Sequence, residues 1–518
     1  MKRLLKGFFA MGMSQVATTL VAIVRNKLLA VLLGPEGVGL LAQLTSFQTL
    51  AASAIPMGML TGALKYFAEF RGKDDRKLAV YVKTACWVFL CTAGVTVAVC
   101  FVFIKPIAGW VLNDPKLWVF LIPPLLGVPF LIQSQVWFTY LQSGLEMKTY
   151  GKTMVASSLV GIVIVVPVVL VWRLWGASWH ILLAAVLMYA MVRFQVSRRM
   201  EPRMKADMKS AEFSLGALRQ LARFGVANLP VFAIGTAAPF LIRRQIIADL
   251  GLHDNGIYQA LYAITSTYLN MPVNALNMYA MAKISQLSDK DEINAEVNNT
   301  VRVALLINTA LVLAVVLNRE VLVRVLFSSK FSGAVELFPW QVMGDFFRFM
   351  TYAVAASIIP QERFRARSIM CIVQWLGYFA VFYAVPSSLR LHGAVWGEVT
   401  NWFLAFAMMF GYMRWLNGYR FTRQIWISFC ASLFAISFVS FMPGHGLSWR
   451  LVGWGVAVLW AATACSSGER AKLFGLVREV LSRGGGAAQA ESSQAGDQGD
   501  QAQRHTEARC VDEPERRS

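Results

Sequence analysis

About fourteen apolar stretches, each long enough to cross a bilayer as a helix, follow one another with only short polar loops between them. No other feature constrains the chain as strongly. A bilayer offers no water to backbone amides, so each stretch long enough to cross must close its own hydrogen bonds as a helix. The stretches run to Leu33 and then fall at about 38–68, 79–104, 117–142, 153–172, 178–197, 221–249, 256–286, 301–318, 335–360, 366–386, 392–413, 425–442 and 449–466. The expected fold class is an all-α membrane protein with about 14 transmembrane helices. Composition agrees: 15% of residues are charged, against about 25% in soluble domains, and mean hydropathy is +0.52. A soluble globular domain, a disordered chain and a secreted disulfide scaffold are excluded. Met1-Lys2-Arg3 before an apolar run resembles a signal peptide, but the run continues through Arg25 and Lys27 and reads as a first membrane helix.

Lys and Arg number 49 against 29 Asp and Glu. In a soluble chain that excess would suggest nucleic acid. Here the cations sort by loop. Even-numbered loops carry Arg71, Lys73, Arg76 and Lys77, then Lys148 and Lys152, then Arg198, Arg199, Arg203, Lys205 and Lys209, and so on to Arg414, Arg420 and Arg423. Odd-numbered loops carry few, apart from a moderately basic segment at 319–330. The positive-inside rule then puts the even loops and both termini in the cytoplasm, and no nucleic-acid partner is expected. The Cys residues are scattered without a CxxC pair and the His residues show no ligand spacing, so neither metal nor cofactor is expected.

The longest internal polar segment, 198–216, splits the first twelve spans six and six. This gives an N-lobe at 1–197, a cytoplasmic linker at 198–216, a C-lobe at 217–416 and two additional spans at 417–466. An interfacial helix is expected at 467–483, with Leu473, Phe474 and Val477 opposite Arg470, Lys472 and Arg478. A disordered tail is expected at 484–518. A faint repeat supports the split. Arg25-Asn26-Lys27-Leu28-Leu29-Ala30-Val31-Leu32 matches Arg243-Arg244-Gln245-Ile246-Ile247-Ala248-Asp249-Leu250. Each copy lies in the first span of its half and is followed by a glycine-containing turn. Repeated halves with a site between them are a recurring transporter plan.

Some charges lie where charge is expensive. An ionised group at mid-bilayer costs at least about 2.5–3.5 kcal/mol by insertion scales and persists where it faces water or a partner. Arg25 and Lys27 lie inside the first span, and Arg243 and Arg244 inside the seventh. Lys65 and Glu69 close the second span and read equally as side chains snorkelling to the interface. Asp345 and Arg348 are a turn apart in the tenth span, and Glu398 lies in the twelfth. The first two could form a neutral structural pair; Asp345 and Glu398 are also the candidates for coupling transport to H⁺ or Na⁺. Cations from both halves that share a cavity would make a well for a diphosphate, with Arg supplying a planar fork and Lys a point charge. The candidates for that role are Arg25, Lys27, Lys65, Arg243, Arg244 and Arg348. Gln43, Tyr258, Gln259, Tyr262, Trp340 and Gln341 could contact sugar, or could be ordinary interhelical packing.

Three motifs carry a family resemblance. They are Lys27-Leu28-Leu29-Ala30-Val31 running into Gly34-Pro35-Glu36-Gly37-Val38-Gly39-Leu40; Gly62-Ala63-Leu64-Lys65-Tyr66; and Ser329-Lys330-Phe331 ahead of Phe338, Trp340-Gln341 and Gly344-Asp345. Over roughly 5–416 the chain resembles Wzx-type polysaccharide flippases of the multidrug/oligosaccharidyl-lipid/polysaccharide exporter superfamily, and among them the common-antigen and O-antigen translocases. The resemblance implies two six-helix lobes in a V around a cationic cavity, followed here by two further helices. It implies a transporter, not an enzyme. Such a transporter moves undecaprenyl-diphosphate-linked oligosaccharide by alternating access from the cytoplasmic to the periplasmic leaflet of a bacterial inner membrane. It also implies polysaccharide polymerase and chain-length machinery as partners. By position it assigns basic roles to Arg25, Lys27, Lys65 and Arg244; Arg243, the last two spans and the tail depart from the family. A lipid II flippase and a multidrug exporter of the same superfamily stay open as readings, although the exporter would want acids in its cavity. A membrane O-antigen ligase or polymerase would want a large extracytoplasmic loop, and the outer loops here are short.

Overall fold

The computed structural model describes residues 2–54, 58–284, 286–287, 289–355, 364–442 and 447–464. Pro56, the expected interfacial helix and the expected tail lie outside them. Among the described residues there are sixteen α-helices and no strand. They are α1 (Lys2–Ala54), α2 (Met59–Phe70), α3 (Asp75–Val102), α4 (Ile104–Leu112), α5 (Ile122–Ser143), α6 (Met147–Arg199), α7 (Pro202–Ser210) and α8 (Leu215–Leu250) in the first part of the chain. There follow α9 (Leu252–Ile284), α10 (Lys290–Leu317), α11 (Arg319–Leu326), α12 (Ala334–Ala355), α13 (Phe364–Ala384), α14 (Arg390–Asn417), α15 (Arg423–Phe441) and α16 (Leu447–Ala464). Among the described residues, seven stretches are long and apolar enough to cross a membrane by length and composition alone. They do not include α8, α9, α12 or α14, and α8, α12 and α14 carry the buried charges Arg243, Asp345 and Arg390.

The two longest helices each run through one expected span and on into the next. α1 breaks at Gly34 (φ 67°, ψ −174°), a conformation that a Cβ would oppose. α6 breaks at Arg173 (φ 45°, ψ −119°). The second expected span is divided between the far half of α1 and α2. Side-chain caps start the helices at several of the polar loops. Asp74, Ser214, Asp289 and Thr422 accept backbone N–H groups at the starts of α3, α8, α10 and α15. The Lys77 backbone N–H holds the Asp74 carboxyl below its ordinary range.

Apolar burial divides the bundle. One cluster joins α2, α3, α5, the second half of α6 and the first turns of α8 through Ala217 and Leu221. Another joins α9 to α12 with α14, α15 and α16. α8 serves both sides, because Ile242 and Ile246 near its far end pack with Tyr378 and Phe382 of α13. The last two helices are fastened to α10 and α11. Arg302 donates to Ser428 Oγ (3.1 Å) and the Ala464 carbonyl (3.0 Å), and Trp460 donates to Ser432 Oγ (2.9 Å). Arg319 donates to the Ser440 carbonyl (3.3 Å) and lies 5.1 Å from the Trp449 ring. Arg319 of the basic odd-numbered loop is therefore occupied in packing, which accounts for part of that exception to the charge pattern.

The segments that follow the two copies of the octapeptide repeat meet. Each copy leads into a left-handed glycine, Gly34 and Gly251 (φ 93°), and then into Gly39 and Gly256. A Cβ at Gly39 would overlap the Leu252 carbonyl oxygen, and one at Gly256 would overlap the Pro35 carbonyl oxygen. The contact is reciprocal, as a two-fold repeat requires. Buried Asn255 donates to the Gly39 carbonyl across the same crossing (2.7 Å). Gly256→Val should separate the helices and destabilise the protein by about 1–3 kcal/mol, the usual cost of overpacking. Gly235→Ala, at a position in open space, should leave the melting temperature unchanged or raise it. Thermal-shift melts of the two purified variants check this; equal melting of Gly256→Val and wild type would contradict the crossing.

Candidate functional site

A cavity of about 390 Å³ lies between the two halves. α1 lines it on both sides of its break with Arg25, Asn26, Thr45, Ser46 and Gln48; α6 contributes His180, α8 Arg243, and α9 Gln259 and Tyr262. Leu29, Val38, Leu131, Ile181 and Phe327 supply apolar wall. No carboxylate is among the lining residues. Arg25, Arg243 and His180 lie helical rises of about 14, 12 and 11 Å from Gly34, Gly251 and Arg173, and all three line the one cavity.

Arg243 is 5% exposed and donates to Gln259 Oε1 (2.6 Å). Its guanidinium carbon lies 5.2 Å from the Tyr258 ring and 5.4 Å from the Tyr262 ring, cation–π contacts that place the charge without neutralising it. Its Nη1 is buried with no hydrogen-bond partner, as is Nε of Arg25. Among the described residues neither arginine makes an ion pair. A buried donor left unsatisfied costs about 1–3 kcal/mol, more when it is charged. An anion with several oxygens would satisfy both.

Arg25 also borders a second cavity, of about 280 Å³, with Gln15, Thr18, Thr19 and Ser158. Residues 15, 18, 19, 22, 25 and 26 fall on one face of α1 by helical spacing. A largely polar track thus runs along α1 from Gln15 to Arg25. At the Gly34 end the halves are held together. Lys27 donates to the Arg324 carbonyl (2.9 Å) and the Phe327 carbonyl (2.5 Å), the free acceptors at the end of α11. This contact and the Gly39–Gly256 crossing lie on the same side of the cavity.

Of the candidate anion ligands, the cavity gathers Arg25 and Arg243. Lys27 is spent on α11. Arg244 donates to the Trp110 carbonyl (3.1 Å) and lies over the Trp110 ring at 5.6 Å. Lys65 is exposed on α2, 5.1 Å from the Phe224 ring. Arg348 lies 5.2 Å from the Trp402 ring, and its Nε has no hydrogen-bond partner. Asp345 is fully buried and accepts from Tyr268 Oη (2.5 Å) and Gln341 Nε2 (3.2 Å), while Glu398 accepts from Trp402 Nε1 (2.8 Å). These three charged groups sit within the second half of the bundle. Of the candidate sugar contacts, Gln259 and Tyr262 line the cavity and Tyr258 backs Arg243. Gln43 is buried and donates to the Val111 carbonyl (3.1 Å). Trp340 packs edge-on against Trp396 and Phe441. The sequence reading missed Asn26, Thr45, Ser46, Gln48 and His180. All five are uncharged, Asn26 lies between the two cations Arg25 and Lys27, and Thr45, Ser46 and Gln48 fall in one mixed polar stretch; such residues carry no signal of their own until the fold turns them to one cavity.

If Lys27 helps close the Gly34 end, Lys27→Met should loosen it. In a cysteine-free background, a cysteine at exposed Thr45 should then react about tenfold faster with a charged thiol reagent supplied from that end, the scale of a lost charge-assisted hydrogen bond. An unchanged rate would remove Lys27 from the closure.

The chain is similar to known proteins in sequence and in fold. A protein named "Lipid III flippase" from Escherichia coli (strain K12) is 24% identical over 364 residues, which are 67% of this chain and 84% of that protein; the Shigella flexneri protein of the same name matches equally. A solved structure of the lipid II flippase MurJ in an inward closed conformation superposes with a TM-score of 0.71 at 10% identity, covering 89% of this chain and 99% of that one. An inward-facing multidrug resistance MATE family transporter of the MOP superfamily superposes at 0.64 and 14% identity, covering 79% and 99%. The fold is therefore that of multi-pass transporters, and these relatives are transporters, not enzymes. A family model described as "Polysaccharide biosynthesis protein" matches residues 4–284, more than half of the chain, and the chain belongs to that family.

Proposed function

We propose that the chain is a flippase for oligosaccharide linked to a lipid diphosphate, such as an undecaprenyl-diphosphate-linked O-antigen, common-antigen or exopolysaccharide unit, in a bacterial inner membrane. One observation carries the reading: Arg25 and Arg243, from opposite halves, share a cavity that no carboxylate lines. A diphosphate diester with two negative charges matches the two cations. The relative named lipid III flippase supports the substrate class. The polar face of α1 offers the head group a sideways approach, while a polyprenyl tail stays in lipid.

The charge pattern of the loops supports a cytoplasmic side for the even loops and both termini. The Gly34 end is then periplasmic and closed, and substrate is loaded from the cytoplasm. With the site carrying two positive charges, the loaded carrier is electrically neutral and the empty carrier returns as a cation. An inside-negative potential draws it back, so that each cycle moves two negative charges outward with a gain of about 4.6 kcal/mol per 100 mV. This drive exists whether or not Asp345 or Glu398 also couples an ion. A cationic-drug exporter is disfavoured, since the cavity holds the wrong sign of charge.

The test is a vesicle assay with purified protein and a fluorescent short-chain polyprenyl diphosphate sugar. Wild type should move the probe between leaflets. Arg25→Ala and Arg243→Ala should each lower the rate about tenfold or more, the scale of a lost charge-assisted contact. Arg244→Ala, which removes a contact to Trp110, should stay within about threefold. Undiminished transport with both Arg25 and Arg243 replaced would refute the proposal.

A further inference from the structure

A third buried nitrogen in the cavity has no partner. It is Nδ1 of His180, which is 7% exposed on the second half of α6. Nothing in the charge argument above uses it. Its charged neighbour is Arg25 of α1. Arg243 of α8 and Tyr262 of α9 are the other titratable groups lining the cavity, and α5 contributes Leu131 and nothing that titrates. No acid faces the ring.

The two ring nitrogens are in different surroundings. Nδ1 is closed off and meets no acceptor, so it is best left as a lone pair, because a buried N–H without an acceptor is the costlier state. Nε2 is absent from the buried unpartnered atoms and makes no hydrogen bond, so it opens on the cavity and carries the hydrogen. We propose that His180 is a third ligand of the transported anion, acting as a neutral Nε2–H donor beside Arg25 and Arg243. The inference rests on the diphosphate reading and deepens it. A second proton would place an N–H at the closed Nδ1 and a third positive charge beside Arg25. The geometry opposes both. The site therefore presents two charges and one uncharged donor to a diphosphate diester, and binding takes up no proton.

The test uses the full chain in lipid nanodiscs and a short-chain polyprenyl diphosphate N-acetylglucosamine as probe, whose phosphates do not titrate between about pH 6 and 8. Wild-type affinity should vary by less than about threefold over that range. His180→Gln, which keeps a donor amide, should bind within about threefold of wild type, and His180→Leu should bind about tenfold or more weakly. Binding that tightens about tenfold per unit as pH falls, with the trend lost in His180→Gln, would overturn the neutral donor. Wild-type affinity in His180→Leu would overturn the ligand role. If His180→Leu does not fold, the wild-type pH profile and His180→Gln still decide. Arg25→Ala in the same assay separates the levels. If it loses the probe while His180→Leu does not, His180 alone is refuted; if it binds as wild type, the diphosphate reading fails and His180 fails with it.

Discussion

Two guanidinium groups held in one cavity without a counter-charge are the constraint around which this bundle is arranged. Placing them there is unfavourable, both for the loss of water and for their mutual repulsion. The surrounding structure holds them in place. Gly39 and Gly256 let α1 and α9 cross at backbone contact, Asn255 bonds across that crossing, and Lys27 ties α1 to the end of α11. Tyr258, Tyr262 and Gln259 fix the Arg243 head group while leaving its charge uncompensated.

The contrast with other buried and half-buried cations sharpens the point. Arg390 binds Asp249 (2.5 Å) and the carbonyls of Phe382 and Val385. Arg71 binds Glu146 (2.7 Å) and the Tyr140 carbonyl. Arg302, Arg319 and Arg244 end on backbone carbonyls. Each of these fastens one helix to another, and its charge is met by an acid, a helix C-terminus or a ring. Arg25 and Arg243 are arranged differently: Gln259, Tyr258 and Tyr262 orient Arg243, Arg25 Nε has no hydrogen-bond partner, and both line the cavity.

Much of this was legible in the sequence. Hydropathy marks the helices because lipid forces backbone hydrogen bonds to close within each segment. The cost of charge in a bilayer marks Arg25 and Arg243 together with their neighbours Lys27 and Arg244, and the octapeptide repeat leads into the segments that meet. What the sequence did not reveal depends on rotation about a helix axis. Arg243 and Arg244 are adjacent, and about 100° of helix turn sends one into the cavity and the other to Trp110. Lys27 is two residues from Arg25 and points to α11. Gln43 and Trp340 are polar or aromatic in apolar runs, as Gln48 and His180 are, and only tertiary contacts separate packing from lining. The even division into six and six spans likewise passes over α8, whose first turns pack on one half and whose last turns pack on the other.

The most direct measurement is a cryo-electron microscopy map of the chain with a short-chain polyprenyl diphosphate sugar bound. Density for the two phosphates between the guanidinium groups of Arg25 and Arg243, touching both, is the result predicted. Phosphate density elsewhere, with those two side chains turned to carboxylates or to lipid, would contradict the account.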